Sequence, residues 1–413
     1  MQLHPGQKKF ITEAIRLNKK INILTCANRW GKAQPISEPV LTPNGYVDMG
    51  DIKPGDIVFS QDGSQTKVES IHPQGKMDIY KLVFDDGSYT RATKDHLWNV
   101  MTGKNRFCKT IHNKVNKSYN QFETMTTGDL LNNWYSKGVT KHTSVSIPVV
   151  EPIQFDAVDV TIDPYVMGVM LGDGCLRHKA PTFTSDDQEI VDRVSTTEEV
   201  NKHSDKYTYG IIKISNRFDK YGLMGRGSLD KFIPSDYLKN SVENRISLLQ
   251  GLMDTDGSIN TKNKKIEFNT ISPQLAEGVK FLVQSLGGKV RIYQRYTYYI
   301  KGGVKVLGKL CYRLSIDIRI NPFYLGRKAR LFDEKKLHYT QNRILKSITL
   351  DGEEEAQCIT VEHPSKLYVT RDCIVTHNSV SIACLQLWYL FYKIGLKESD
   401  GDDLAWERAE YRT

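Results

Sequence analysis

The stretch NRWGKAQPIS, Asn28 to Ser37, decides how the rest of the chain is read. It opens like a phosphate-binding loop, with Gly31 and Lys32 in place, and fails at the next residue. Such a loop ends Gly-Lys-Ser/Thr, because the lysine pairs with the β/γ-phosphates and the hydroxyl ligates Mg²⁺. Ala33 has no oxygen to give, but Ser379 does. Joining Lys32 to Ser379 produces INILTCANRWGKSVSIACLQLWYLF: an apolar strand, a loop ending Gly-Lys-Ser, then a long apolar helix. In that context backbone N–H groups at a helix N-terminus hold phosphate. Residues 33–378 therefore read as an insertion, and Ala33 belongs to a different unit from Lys32.

Composition sets the outer limits. The 413 residues allow two to three domains, and 39% hydrophobic with 25% charged residues describe a folded chain rather than a disordered one. No apolar run reaches the ~20 residues of a membrane span, and no secretory signal opens the sequence. The seven cysteines are scattered without a CxxC pair, which argues against a disulfide framework or a zinc site and for a reducing cytoplasm. The net charge of +9 is concentrated: Lys262 to Arg343 holds 18 Lys/Arg against five Asp/Glu. Within that stretch Val290, Ile292, Val304, Val306, Leu314, Ile316 and Ile318 alternate at period two, as in half-buried strands with a basic, tyrosine-rich polar face. Such a face is either a solvated sheet surface or one that neutralises a phosphate backbone.

Short strands are expected between residues 33 and 150, punctuated by the turn signals TPNGY, KPGD, QDGS and DDGS. The same pattern returns from Ser347 to Asn378. In these two segments EPVLTPNGYVDMGDIKPGDIVFS, GSYTRATKDHLWNV and CITVEHPSKLYVTRDCIVTHNS resemble, in order, the splicing blocks of inteins. The resemblance implies an all-β Hint fold and autocatalytic splicing between Lys32 and Ser379. Thr93 and His96 match its Thr-x-x-His, and His377-Asn378 with Ser379 match its end.

Cleaving an amide takes an activated nucleophile and a polarised carbonyl. Most inteins begin with Cys or Ser; this one begins with Ala33. Trp98, Cys358 and Thr376 together resemble the class 3 inteins, in which an internal cysteine attacks the upstream bond. That likeness implies that Cys358 attacks the Lys32 carbonyl with help from Thr93 and His96. The acyl group then passes to Ser379, and Asn378 cyclises with His377 as proton donor. The alternatives are a buried structural Cys358, and an ordinary intein trapped by a Cys-to-Ala replacement at 33. His363 or Lys366 stands near where the late block usually carries a histidine.

Two nonamers, VMGVMLGDG at Val166–Gly174 and LQGLMDTDG at Leu249–Gly257, recur in the centre. They resemble the paired helices of LAGLIDADG homing endonucleases, which implies a pseudo-two-fold, monomeric α+β domain acting on double-stranded DNA. Gly168, Gly172 and Gly251 would let the helices approach, placing Asp173 and Asp256 side by side as hard oxygen ligands for Mg²⁺. GLMGRGSLDKFIP resembles the lysine-containing block between those motifs and so nominates Lys231 as a transition-state or water-activating cation, a surface lysine being the alternative.

The flanks total 67 residues, and CANRWGKS after a HPGQKKFI-like start resembles the ATPase of phage terminase large subunits, with helicases and other P-loop motors as alternatives. After splicing, Gly31, Lys32 and Ser379 would hold ATP and Mg²⁺ in a bacterial cytoplasm. The expected organisation is mixed: split α/β P-loop flanks at 1–32 and 379–413, Hint segments at 33–150 and 336–378, and the LAGLIDADG domain at 151–335.

Overall fold

The computed structural model describes residues 32–102, 122–133, 145–333 and 342–377. Gly31, Asn378 and Ser379, with the flanks apart from Lys32 and their expected P-loop elements, lie outside the described residues.

Two 20-residue strands, Gln65–Phe84 and Asn342–Val361, form the spine of the β-rich part. They run antiparallel from Leu345↔Phe84 to Val361↔Val68, with register shifts that include one beside Gly352, which has φ +112°. The expected short strands are thus partly wrong here. Pro73, Gln74 and Gly75 are absorbed into the ribbon, with Gly75 at φ +75°. The four turn signals hold their glycines in the left-handed region: Gly45, Gly55, Gly63 and Gly87.

On this ribbon Gln34–Pro35 pairs with the downstream strand and Tyr89–Thr93 with the upstream one. A separate four-stranded sheet runs in the order Ile374–His377, Leu367–Thr370, Pro39–Thr42, Gly45–Asp48. It therefore weaves the first and last described residues of this part into one layer. Leu41, Phe59, Val369, Cys373 and Val375 pack into one of its cores, and Leu82, Trp98, Ile147 and Ile374 into another.

Between these segments the chain repeats one unit twice. Helix Pro164–Gly172 leads to a four-stranded sheet, and helix Val242–Thr255 leads to a second. In each sheet the third and fourth strands in sequence exchange places, giving the spatial order first, second, fourth, third. One apolar core from Ile162 to Phe332 joins both copies. The copies differ in length: the last hairpin of the first uses Val200–Lys202 and Thr208–Ile211, that of the second Lys289–Lys301 and Val304–Asp317. Val290, Leu314 and Ile316 are buried as their alternation predicts, but Val304 is exposed because the tip of the long hairpin projects from the sheet. Tyr296, Tyr298 and Tyr299 are exposed along that projection.

Candidate functional site

The peptide bond between Lys32 and Ala33 is enclosed by three strands. Gln34 pairs with Gln357 and Pro35 with Ala356, so one further antiparallel step sets Ala33 opposite Cys358. Both are buried, in one small cluster with Ile79 and Ala356. Lys32 lies close enough to Cys358 for the two to interact electrostatically, and burial lowers its ammonium pKa. Thr93 clamps the other side of the bond. Its hydroxyl accepts from Ala33 N–H at 3.1 Å and donates to Ala33 C=O at 3.0 Å, while its own N–H donates to the same carbonyl at 3.0 Å.

His96 completes the enclosure. Its ring lies by the backbone carbonyls of Lys32 and Ala33, and its Nε2 is hydrogen-bonded to the Thr376 hydroxyl. Burial, and then the neighbouring His377, push its pKa down to about 3, so the imidazole is neutral at pH 7. The buried Nδ1 has no partner of regular hydrogen-bond geometry. Trp98 packs its ring 4.9 Å from that of His96 and donates Nε1–H to Thr127 at 2.9 Å, which fixes the indole and, through it, the imidazole. Thr376 reaches this place because it pairs with Tyr368 in the last hairpin, where Leu367 pairs with His377. Cys358, Thr93 and His96 thus gather at one peptide bond, with Trp98 and Thr376 in contact with His96 and His377 near enough to act on its charge. His363 does not join them: its ring nitrogens go to Ser365 and Asp62. Lys366 donates to Val361 C=O.

A turn missed in the sequence precedes the last strand. Asp372 and Cys373 both adopt positive φ, at 56° and 52°, in a segment without Gly or Asn. Such residues cost on the order of 1–3 kcal/mol each and persist only where their surroundings hold them. Arg343, fully buried and paired with Asp86 at 3.0 Å, donates to the carbonyls of Cys373 at 2.8 Å and Asp372 at 2.7 Å.

The second site lies where the two repeated helices meet. A Cβ on Gly168 would stand 2.4 Å from Leu248 O, one on Gly251 2.2 Å from Tyr165 O, and one on Gly172 2.0 Å from Thr255 Oγ1. The glycines are therefore what lets the helices touch. Asp173 and Asp256 cap their C-terminal ends and repel one another; burial first and Asp173 second push Asp256 up to about 6, and burial raises Asp173. A cation between them would relieve both penalties, and hard carboxylate oxygens suit Mg²⁺. Among the described residues no cluster of three or more His, Cys, Asp or Glu gathers, so the protein's share of such a donor set is this pair with nearby backbone carbonyls.

Lys231 is not a surface lysine. It is 4% exposed, and its ammonium donates to the carbonyls of Met170, Leu171, Gly172 and Gly174 at 2.8–3.0 Å. Burial lowers its pKa to about 8 against the pull of Asp256 and Asp173. Lys328, overlooked in the sequence, repeats the arrangement on the other helix, donating to Met253 at 2.9 Å and to Asp254 and Gly257 at 2.7 Å. Two cavities flank the aspartates. One of about 490 Å³ is lined by Asp173, Asp186, Asp254 and Lys328, and one of about 320 Å³ by Asp173, Lys231, Asp256 and Asn269.

Comparison with known proteins places a LAGLIDADG-like domain at residues 243–316. The chain is 26% identical over 362 residues to a replicative DNA helicase DnaB from Mycobacterium intracellulare, covering 84% of this chain and 59% of that protein. It thus spans a little over half the length of that relative. The flanks hold only 67 residues, so most of the match falls between Ala33 and Asn378. Among solved structures, the MchDnaB-1 intein shows 11% identity and a TM-score of 0.24, covering 84% of this chain and all of that one. An Ssp DnaB mini-intein variant shows 8% and 0.29, covering 84% of this chain and 94% of its own. Mesophilic variants of the homing endonuclease I-DmoI show 16% and 0.23, covering 41% and 91%. At these scores the superpositions carry no weight, and the fold rests on the strand pairing described above. The second of the two repeated units is thus, by its sequence, a LAGLIDADG-like domain set within a chain that closes its β-rich part around the Lys32–Ala33 bond.

Proposed function

We propose that residues 33–378 excise themselves and join Lys32 to Ser379. The observation that carries this reading is the thiol of Cys358 facing Ala33 across paired strands, beside the only bond that has to open first. Cys358 Sγ attacks the Lys32 carbonyl carbon; the C–S bond forms, the Lys32–Ala33 C–N bond breaks, and the thiol proton passes by way of Thr93 to the Ala33 amine. Neutral His96 orients the carbonyl, and Trp98 and Thr376 hold His96. The acyl group moves to Ser379 Oγ and the thiol is restored. Asn378 closes its side-chain nitrogen on its own carbonyl, assisted by His377, breaking the bond to Ser379. The freed Ser379 amine takes the acyl group from its own oxygen, leaving a peptide. Splicing needs no cofactor. Incubation of purified precursor tests it: ligated flanks and a free 33–378 fragment are expected, and intact precursor alone would refute it.

We further propose that residues 151–335 cut double-stranded DNA at the uninterrupted host gene, acting as one pseudo-symmetric monomer. The domain match and the facing Asp173 and Asp256 support this reading. The aspartates would hold Mg²⁺, which supplies Lewis-acid stabilisation of a phosphodiester in hydrolysis. Lys231 and Lys328 hold the helix ends that carry those aspartates, and the exposed tyrosines and basic residues of the long hairpin follow the DNA backbone. The rejoined flanks complete Gly-Lys-Ser, and we read the host as an ATP-driven DNA motor, a phage terminase large subunit or a helicase. Nucleotide binding by the ligated host and not by the precursor is the expected outcome.

A further inference from the structure

Helix Pro273–Ser285 lies within the LAGLIDADG-like domain, where Leu275, Ala276, Val279 and Leu282 join its core. Its neighbouring residues Lys280 and Phe281 point elsewhere. Lys280 Nζ is 2.8 Å from Asp372 Oδ1, and Phe281 packs on the core that contains Cys373, Val369 and Val375. The Phe281 ring meets Tyr46 edge-on at 6.0 Å, and the Tyr46 hydroxyl accepts from Cys373 N–H at 3.2 Å. Two side chains of the nuclease half therefore bear on the Asp372–Cys373 turn, one directly and one through Tyr46.

We infer that this helix is a positioning element for the downstream splice junction, with Lys280 as its positioning residue. The inference rests on the splicing reading above. Asp372 tolerates the left-handed region only modestly and Cys373 has no preference for it, so the turn's own residues do not suffice to set its shape. Its shape is imposed by Arg343, Tyr46 and Lys280, and it fixes where strand Ile374–His377 begins. That strand presents Thr376 to His96 and leads into Asn378. Lys280 touches none of the reacting atoms and acts through Asp372. The upstream nucleophile depends on a different strand, since Cys358 is placed by pairing with Gln65–Phe84. Loss of the Lys280 contact therefore acts most strongly on the downstream step and reaches the upstream one only indirectly, through Thr376 and His96.

The test uses full-length precursor. Thiol-induced cleavage at Lys32–Ala33 reports the upstream step, and release of residues 379–413 the downstream one. Lys280→Met slows the second about tenfold and the first by about threefold at most. Lys280→Arg keeps the ion pair and restores the rate. Combining Lys280→Met with Asp372→Asn and Cys373→Gly also restores it, because that turn takes up positive φ unaided. Equal slowing of both steps, no slowing, or failure of the Asn-Gly turn to restore release would overturn the inference. Unaltered precursor that shows neither cleavage would instead refute the splicing reading and this inference with it.

Discussion

Ala33 and Cys358 face each other across paired antiparallel strands, although 324 residues separate them in the chain. Of the four cysteines among the described residues, Cys358 is the one in the cluster that buries Ala33. Cys373 instead lies against the Tyr46 hydroxyl. Ala33 offers no nucleophilic side chain beside the Lys32–Ala33 bond, and strand pairing brings the Cys358 thiol to it. Distance along the sequence is no obstacle once the two-strand spine has formed.

His96 gives the fold a defined acid sensitivity. Its pKa is about 3 when folded against 6.5 in the unfolded chain, so between those values the unfolded state binds a proton that the folded state does not. Stability must therefore fall as pH falls through that window, by up to about 1.4 kcal/mol per pH unit from this residue. Denaturant unfolding from about pH 7.5 to about pH 5 is expected to show roughly 2 kcal/mol less acid loss in His96→Gln than in the unaltered chain. Equal loss in both would contradict the buried neutral imidazole.

Close helix approach makes a sharper claim about Gly251. A Cβ there meets Tyr165 O at 2.2 Å, a backbone atom of the opposite helix that cannot rotate away. Gly251→Ala should destabilise the central unit by about 3 kcal/mol or more and abolish DNA cleavage. Calorimetry checks the first and a cleavage assay the second; an unchanged melting temperature would mean that the helices are not in contact.

The paired lysines predict a division of labour. Lys231 and Lys328 each secure the end of one helix, and each lines one of the two cavities. With supercoiled substrate, Lys231→Met or Lys328→Met alone should leave nicked circles as the main product, whereas Asp173→Asn or Asp256→Asn should leave the DNA intact with Mg²⁺ present. Linear product from both lysine variants at the unaltered rate would show that the cavities do not serve separate strands.

Much of this was legible in the sequence, for identifiable reasons. The four glycine turns declare themselves because positive φ at a tight turn favours Gly, and the two nonamers because close helix contact leaves few alternatives to small residues. Lys328 escaped because the repeats are unequal. The long second hairpin shifts it relative to its helix, so no fixed spacing links it to Lys231. The Asp372–Cys373 turn escaped because Asp is only a weak turn signal and the partners that hold the conformation, Arg343, Tyr46 and Lys280, are distant in sequence. Burial of Lys231 is likewise invisible without the carbonyls that surround it. Cys358 was found only through its likeness to a splicing block, since nothing local distinguishes it from a core cysteine.

Mass spectrometry of freshly purified precursor beside its Cys358→Ala variant is the direct test of the internal nucleophile. The unaltered chain is expected to yield ligated 67-residue flanks and the 346-residue insert, while Cys358→Ala yields no branched species and no ligated product. Splicing that survives Cys358→Ala would contradict it, as would an unaltered chain that splices only after Ala33→Cys.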